Sequence, residues 1–256
     1  MHSSVPIKPL LGDSKKKIKE DLEDIWITSD ISIPFRRGSK TFYYFNDGNQ
    51  QQSVFMMKLC NECEAKVILD PNEFSNDGTI SLSDISVSPD GDYLAYSISD
   101  GGSDWRTWKV LDIDAERDTN DLIEWSKFSY AVWESDSSGF YYQRYKKPED
   151  ELSDINKSPQ LFFHRLGDSQ DKDKLVYEDK QNPDFSWSLS VPEKGSYRVL
   201  SIGEGTDDRN FLSISFDDSL NFIPVIDQFI ACLLYTSPSP RDVEESRIAG
   251  CAWKKK

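Results

Sequence analysis

The stretch Asp84–Trp108, DISVSPDGDYLAYSISDGGSDWRTW, decides the fold. In Asp84-Ile85-Ser86-Val87-Ser88, apolar and small polar residues alternate at the two-residue period of a strand, and Tyr93 to Ser99 alternates again. Between them Pro89-Asp90-Gly91 turns the chain, because proline presets φ at the first turn position and glycine accepts the positive φ that follows. The segment therefore predicts strand, tight turn, strand.

Three other places echo it, each a polar turn ending in glycine ahead of an aromatic-rich or alternating strand: RRGSKTFYYFND from Arg36, ESDSSGFYYQRY from Glu134 and PEKGSYRVLSIG from Pro192. The glycines Gly38, Gly91, Gly139 and Gly195 stand 53, 48 and 56 residues apart. A loose period of about 50 residues lies in the range of propeller blades, and a four-stranded sheet with its loops fills that length. The remaining strands fall at Ser53–Leu59, Lys66–Leu69, Thr107–Ile113, Leu122–Trp125, Leu161–Leu166, Lys174–Tyr177, Phe211–Phe216 and Phe222–Ile226. The fold class expected is all-β, a β-propeller portion of about four four-stranded blades.

Composition narrows the function classes. With 256 residues, 37% of them hydrophobic, the chain can bury a core, and no window of about 18 apolar residues predicts a membrane span. The net charge of −15 argues against a nucleic-acid partner, which would need clustered Lys and Arg to neutralise phosphates. The N-terminal residues lack the basic start and apolar run of a secretory signal, so a cytoplasmic protein is expected. Ile18, Leu22 and Ile25 then recur at helical spacing after a cap at Asp13 or Ser14, which predicts one amphipathic helix to about Trp26. A lone helix ahead of an all-β array is expected to pack on something outside that array.

Local motifs offer little chemistry of their own. Cys60-Asn61-Glu62-Cys63 has no second cysteine pair or histidine pair for zinc and no helix start to lower a thiol pKa, so it is read as a hairpin loop. His2 and His164 are the only histidines, and neither is placed by its neighbours as a general base. There is no Gly-x-Ser-x-Gly elbow, and Gly203-x-Gly205 lacks the third glycine and helix of a nucleotide cradle. No catalytic residue, metal or cofactor is expected in this chain. Asp100-Gly101-Gly102-Ser103-Asp104-Trp105 admits two readings: an aspartate closing its own turn with a tryptophan packed on the next blade, or a site presenting a carboxylate and an aromatic at a blade edge. Phe128, in Trp125-Ser126-Lys127-Phe128-Ser129 between the second and third units, is on local grounds a core residue.

From about Ile31 to Phe229 the chain resembles the propeller of the prolyl oligopeptidase (prolyl endopeptidase) family. The pieces that carry the resemblance are LDPN at Leu69–Asn72, NDGTISL at Asn76–Leu82, SPDGDYLAYSIS at Ser88–Ser99, GSDWRTWKV at Gly102–Val110, KFS at Lys127–Ser129 and AVWESDSSGFYY at Ala131–Tyr142. The resemblance implies a serine endopeptidase that cleaves short peptides after proline, its Ser, Asp and His on an α/β-hydrolase domain capped by a propeller of seven blades. The expected partners are short proline-containing peptides and that hydrolase domain. Two positions carry over as substrate-binding: Asp104, the carboxylate that pairs with a substrate-gripping arginine, and Phe128, the aromatic wall of the pocket for the residue two before the proline. An ungapped reading adds Ser186 and Thr206 to that pocket, where animal relatives would have methionine and cysteine.

The organisation expected is a helical segment over 1–30, the propeller over 31–229 and an unrelated tail over 230–256, in which LLYTSPSPRD has the look of translated adapter sequence. A truncated transcript product is the corresponding expectation, with a genuine short isoform as the alternative; with blade faces left uncovered, the chain is expected to be inactive alone and marginal, aggregation-prone or partnered through its open ends. The alternative function is a non-catalytic interaction propeller of the tryptophan-aspartate repeat kind. Against it, no tryptophan is followed by Asp, and the spacing exceeds about 40–45 residues per blade.

Overall fold

The structure, a computed structural model, describes residues 12–26, 28–147, 157–192, 196–216 and 220–231. Helix α1 spans Gly12–Trp26, and its apolar stripe residues Ile18 and Leu22 are exposed. It is not long and apolar enough to cross a membrane. Four antiparallel meanders follow it. In the first, β1 (Asp30–Ile31) and β2 (Phe35–Arg37) are successive pieces of one inner strand on β3 (Lys40–Asn46), which continues to β4 (Val54–Lys58) and β5 (Lys66–Leu69). The second is β6 (Ile80–Val87), β7 (Tyr93–Asp100), β8 (Trp105–Asp112) and β9 (Arg117–Lys127), and the third β10 (Val132–Trp133), β11 (Gly139–Arg144), β12 (Gln160–Arg165) and β13 (Lys174–Glu178). The fourth is β14 (Phe185–Ser190), β15 (Arg198–Glu204), β16 (Asn210–Ser215) and β17 (Ile223–Ala231). The sheets of blades two and three are joined by one pairing, Arg144 opposite Ser126. These are the four-stranded blades of a propeller portion whose ring is not closed within the described residues. Gly195 and the tail beyond Ala231 lie outside the described residues.

Alternation explains how the blades stack. The second strands of blades two and three, β7 and β11, bury both faces, so odd and even residues serve different neighbours. In β7, Leu94 and Tyr96 pack with Phe42 and Phe55 of blade one, while Ala95 packs with Trp133 and Phe140 of blade three. In β11, Phe140 and Tyr142 face blade two, and Tyr141 joins Leu189, Leu200 and Ile202 of blade four. Exposed apolar residues gather on the outermost blades, with Ile31, Ile33 and Val67 on the first and Phe216, Ile223 and Val225 on or beside the last.

The registers define two edges. Val87 opposite Leu94 and Asp112 opposite Arg117 mark the edge that carries the first-to-second and third-to-fourth strand turns, here the turn edge. Ile80 opposite Asp100 and Trp105 opposite Lys127 mark the other, which carries the second-to-third loops and the connections between blades, here the loop edge.

Of the repeated glycines, Gly38, Gly91 and Gly139 lie at the turn edge, and Gly38 and Gly91 link blade one to blade two. Gly38 (φ 54) donates its N–H to the Pro89 carbonyl at 3.1 Å, and Gly91 (φ 82) closes the Ser88 turn at 2.9 Å. Lys40, only 6% exposed, reaches from blade one to the Gly91 carbonyl at 3.0 Å, Asp92 at 3.0 Å and Asp114 at 2.8 Å. Burial works against its charge, but the Asp114 and Asp92 carboxylates outweigh it and hold its pKa above the ordinary lysine value. Asp90 N–H then meets Ser137 Oγ of blade three at 3.3 Å. Between blades three and four, Arg198 donates to Glu134 at 2.8 and 2.7 Å, and Tyr141 adds its hydroxyl to the same carboxylate at 2.6 Å.

His164 is completely buried in this scaffold. Its Nδ1 lies 2.7 Å from Asp173 and its Nε2 2.9 Å from Asp121 of blade two, whose carboxylate also accepts from Gly167 N–H at 2.6 Å and Thr119 Oγ1 at 2.5 Å. Burial opposes the imidazolium, yet the two carboxylates prevail and push its pKa up to about 9. His164 is thus a charged clasp between blades, both of its ring nitrogens facing carboxylates. Cys60 and Cys63 are disulfide-bonded to each other in the hairpin loop between β4 and β5.

Candidate functional site

Asp104, Phe128, Ser186 and Thr206 come from four segments of blades two and four, and all four fall on the loop edge. Asp104 ends the loop between β7 and β8, and Phe128 follows β9, so the pairing of Trp105 with Lys127 brings the two together. Ser186 is the second residue of β14 and Thr206 follows β15, at the end where Ser186 pairs with Gly203.

Lys127 is the residue that joins Asp104 to Phe128. Its ammonium stands 3.4 Å from Asp104 Oδ2, 5.2 Å from the centroid of the Trp105 ring and 5.3 Å from that of Phe128. The lysine is buried, whereas the Asp104 side chain is 61% exposed, so a carboxylate is held at the surface by a cation beneath it. A cation against two ring faces is favourable through their quadrupoles, more so as water is excluded. Asp104 therefore does not simply close its own turn: the hydroxyl that accepts the Trp105 N–H, at 3.1 Å, belongs to Ser103.

Phe128 is 58% exposed, so the local reading of it as a core residue does not hold. Its backbone explains why. Phe128 adopts φ 51, a left-handed conformation that costs a non-glycine residue about 1–2 kcal/mol. The flanking serines fix it there: Ser126 Oγ donates to the Gln143 carbonyl at 2.9 Å and accepts from Trp108 Nε1 at 3.1 Å, while Ser129 Oγ accepts the Gln143 N–H at 2.7 Å. Gln143 Nε2 also donates to the Lys127 carbonyl at 3.2 Å. Both hydroxyls of this short run are spent on blade three, and the ring between them is turned outward.

Below the ring lies a cleft of 310 Å³ between blades three and four, lined by Phe128, Tyr130, Tyr141, Gln143, Leu161 and Trp187 among others. That volume suits one side chain of a peptide. Ser186 and Thr206 are exposed and are not among its lining residues; the neighbours Trp187 and Ser188 are. A second cleft, of 590 Å³, opens beside the Asp100–Asp104 loop and shares no lining residue with the first. Sequence reasoning assigned no role to Lys127, Trp187 or Trp125. A lysine closing a strand reads as solvated, and its burial comes from its folded neighbours, Trp105 and Phe128 beside it and Gln143 of blade three. Among the described residues no group of three or more His, Cys, Asp or Glu is arranged to hold a metal ion.

Residues 10–237 match the family model described as prolyl oligopeptidase, N-terminal beta-propeller domain. The chain is 37% identical over 215 residues to the prolyl endopeptidase of Elizabethkingia miricola, covering 83% of this chain and 30% of that one. It is 32% identical over 217 residues to prolyl oligopeptidase A of Galerina marginata, covering 73% and 29%. Among solved structures, a prolyl endopeptidase superposes with a TM-score of 0.72 at 28% identity, covering 82% of this chain and 30% of that one. A variant of Galerina marginata prolyl oligopeptidase B, bound to a 35mer hydrolysis and macrocyclization substrate, superposes at 0.75 with 25% identity, covering 84% and 33%. The chain thus spans about 30% of the length of the curated relatives it matches.

Proposed function

Since the chain belongs to the prolyl oligopeptidase family, through its N-terminal β-propeller domain, we propose that it forms the substrate-gating part of a serine endopeptidase that hydrolyses short peptides on the carboxyl side of proline. The observation that carries this reading is the loop-edge cluster, in which the buried Lys127 holds Asp104 and Phe128 side by side at the surface. In the proposed enzyme the Asp104 carboxylate pairs with an arginine of the hydrolase domain and orients it through a charge-assisted bond. Phe128 and the cleft beneath it receive the side chain two residues before the proline, placing the scissile bond for a serine activated by histidine on the hydrolase domain. Pairing of a surface carboxylate with an incoming guanidinium suits a half-site that becomes complete only when the two domains close. The partners of the propeller are accordingly the hydrolase domain and short proline-containing peptides.

The test is a chimera in which residues 31–229 replace the matching segment of the Elizabethkingia miricola prolyl endopeptidase, assayed on a fluorogenic Gly-Pro peptide beside the 256-residue chain alone. Cleavage by the chimera and none by the chain alone is the expected result. A folded chimera that still docks its domains but leaves the peptide intact would overturn the assignment.

A further inference from the structure

The 590 Å³ cleft beside the Asp100–Asp104 loop plays no part in the function proposed above. Two of its walls are Trp105 and Trp125, whose rings meet nearly edge-to-face, 5.9 Å apart at 73°. Tyr145 stands against Trp105 in the same perpendicular fashion, at 6.3 Å and 87°, and braces the corner from blade three. Lysines back both indoles: Lys127 lies over Trp105 and Lys147 over Trp125 at 5.0 Å, and neither lysine lines the cleft. Trp125 is held at φ 62, and its carbonyl accepts the Tyr145 N–H at 3.0 Å, so a second strained residue at this edge presents an aromatic ring.

Besides Ile80 and Ile98, which add apolar surface, the remaining lining carries polar groups suited to a peptide backbone. Ser99, Ser103 and Thr107 offer hydroxyls, and Arg106, which donates to the Ser129 carbonyl at 3.3 Å, offers further N–H donors. Gly101, also in the lining, leaves its side open, since a Cβ there would meet nothing within 4 Å. A corner of indoles with nearby donors is the chemistry that recognises an extended proline-containing segment. Such a segment is pre-ordered, leaves its carbonyls without internal hydrogen bonds and packs its rings on aromatic walls.

We propose that this cleft is a docking site for a proline-containing, extended peptide segment, separate from the cleft under Phe128. The choice of proline rests in part on the peptidase reading, and the site would hold a stretch of peptide away from the bond to be cut. The carboxylates of Asp100 and Glu124, both in the lining, disfavour acidic residues in that stretch.

Indole N–H resonances of the ¹⁵N-labelled chain, titrated with blocked hexaproline and with a blocked Gly-Ser hexapeptide, test the site. Saturable shifts of the Trp105 and Trp125 signals with hexaproline alone are expected. Trp125→Ala should weaken binding at least about tenfold, and Trp125→Phe should retain part of it. Equal shifts with both peptides, shifts confined to other tryptophans, or none in the unmodified chain would overturn the proposal, and these need no variant to fold. Failure of the chimera to cleave with hexaproline binding intact would remove the peptidase reading and leave the docking site; cleavage without hexaproline binding would do the reverse.

Discussion

At the turn edge, a Cβ on Gly91 would come within 2.6 Å of the Arg37 carbonyl oxygen, and one on Gly38 would collide with the Asp90 backbone; at the loop edge, a Cβ on Gly101 or Gly102 would meet nothing within 4 Å. The same residue type does opposite work at the two edges. At the turn edge glycine lets one blade's turn nest in the next, and buried ion pairs seal the contact. At the loop edge it keeps space open, while strained residues hold aromatic rings toward solvent. One edge spends its polar groups on stability and the other leaves them available, so substitutions at the first should cost folding and at the second should cost function.

The largest effect expected is at the Arg198–Glu134 pair. Arg198→Met strands a buried carboxylate and should cost about 3–5 kcal/mol in denaturant unfolding, with much of the loss recovered when Glu134→Gln is added. Next comes the histidine clasp. His164→Gln should cost about 2–4 kcal/mol, and in the unmodified chain the clasp's contribution should be complete below about pH 6.5 and lost as pH rises through about 9. At the acid end, Asp121, held below the ordinary carboxylate range against burial by bonds from His164, Thr119 and Gly167, should weaken the clasp only as pH falls through that lowered value. A pH–stability profile that is flat between 6.5 and 10 would remove the clasp from the comparison.

A matched glycine pair gives the sharper contrast. Gly38→Ala should lose more than about 2 kcal/mol, from backbone collision added to left-handed strain, while Gly101→Ala, at φ 57 in open space, should lose only the strain, about 1 kcal/mol. Equal losses would mean that the edges differ in shape but not in energy. The smallest effect on stability should come from Asp104→Asn, within about 0.5 kcal/mol because the pair with Lys127 is largely exposed on the aspartate side. In the chimera the same change should lower kcat/KM about tenfold or more, measured on the Gly-Pro peptide.

Much of the turn edge was legible in the chain. Ser88-Pro89-Asp90-Gly91 and its echoes carry their own dihedral logic, and two-residue alternation placed the strands that follow. The loop edge was legible only through family likeness. Phe128 reads as core simply as a large aromatic between blades; what turns it outward is the pair of serine bonds to Gln143, a residue of another blade. Lys127 and His164 were opaque for the same reason. Asp104 meets the lysine through the β8–β9 register of blade two, and Asp121 lies 43 residues from the histidine in the neighbouring blade, so neither pairing can be read from adjacent residues. The Ser186 and Thr206 positions fall on the loop edge without lining the 310 Å³ cleft, whose blade-four wall is Trp187, Ser188 and Leu189.

The two-sided burial of β7 gives that strand something like a reading frame. Leu94 and Tyr96 are addressed to one neighbour and Ala95 to the other, so removing a single residue would misdeliver every side chain after it to the wrong blade at once. Loss of one residue from Gly101-Gly102-Ser103 would merely shorten a loop. Insertions and deletions can therefore accumulate at the loop edge, where new specificity would be built, while the strands behind it admit change only in twos.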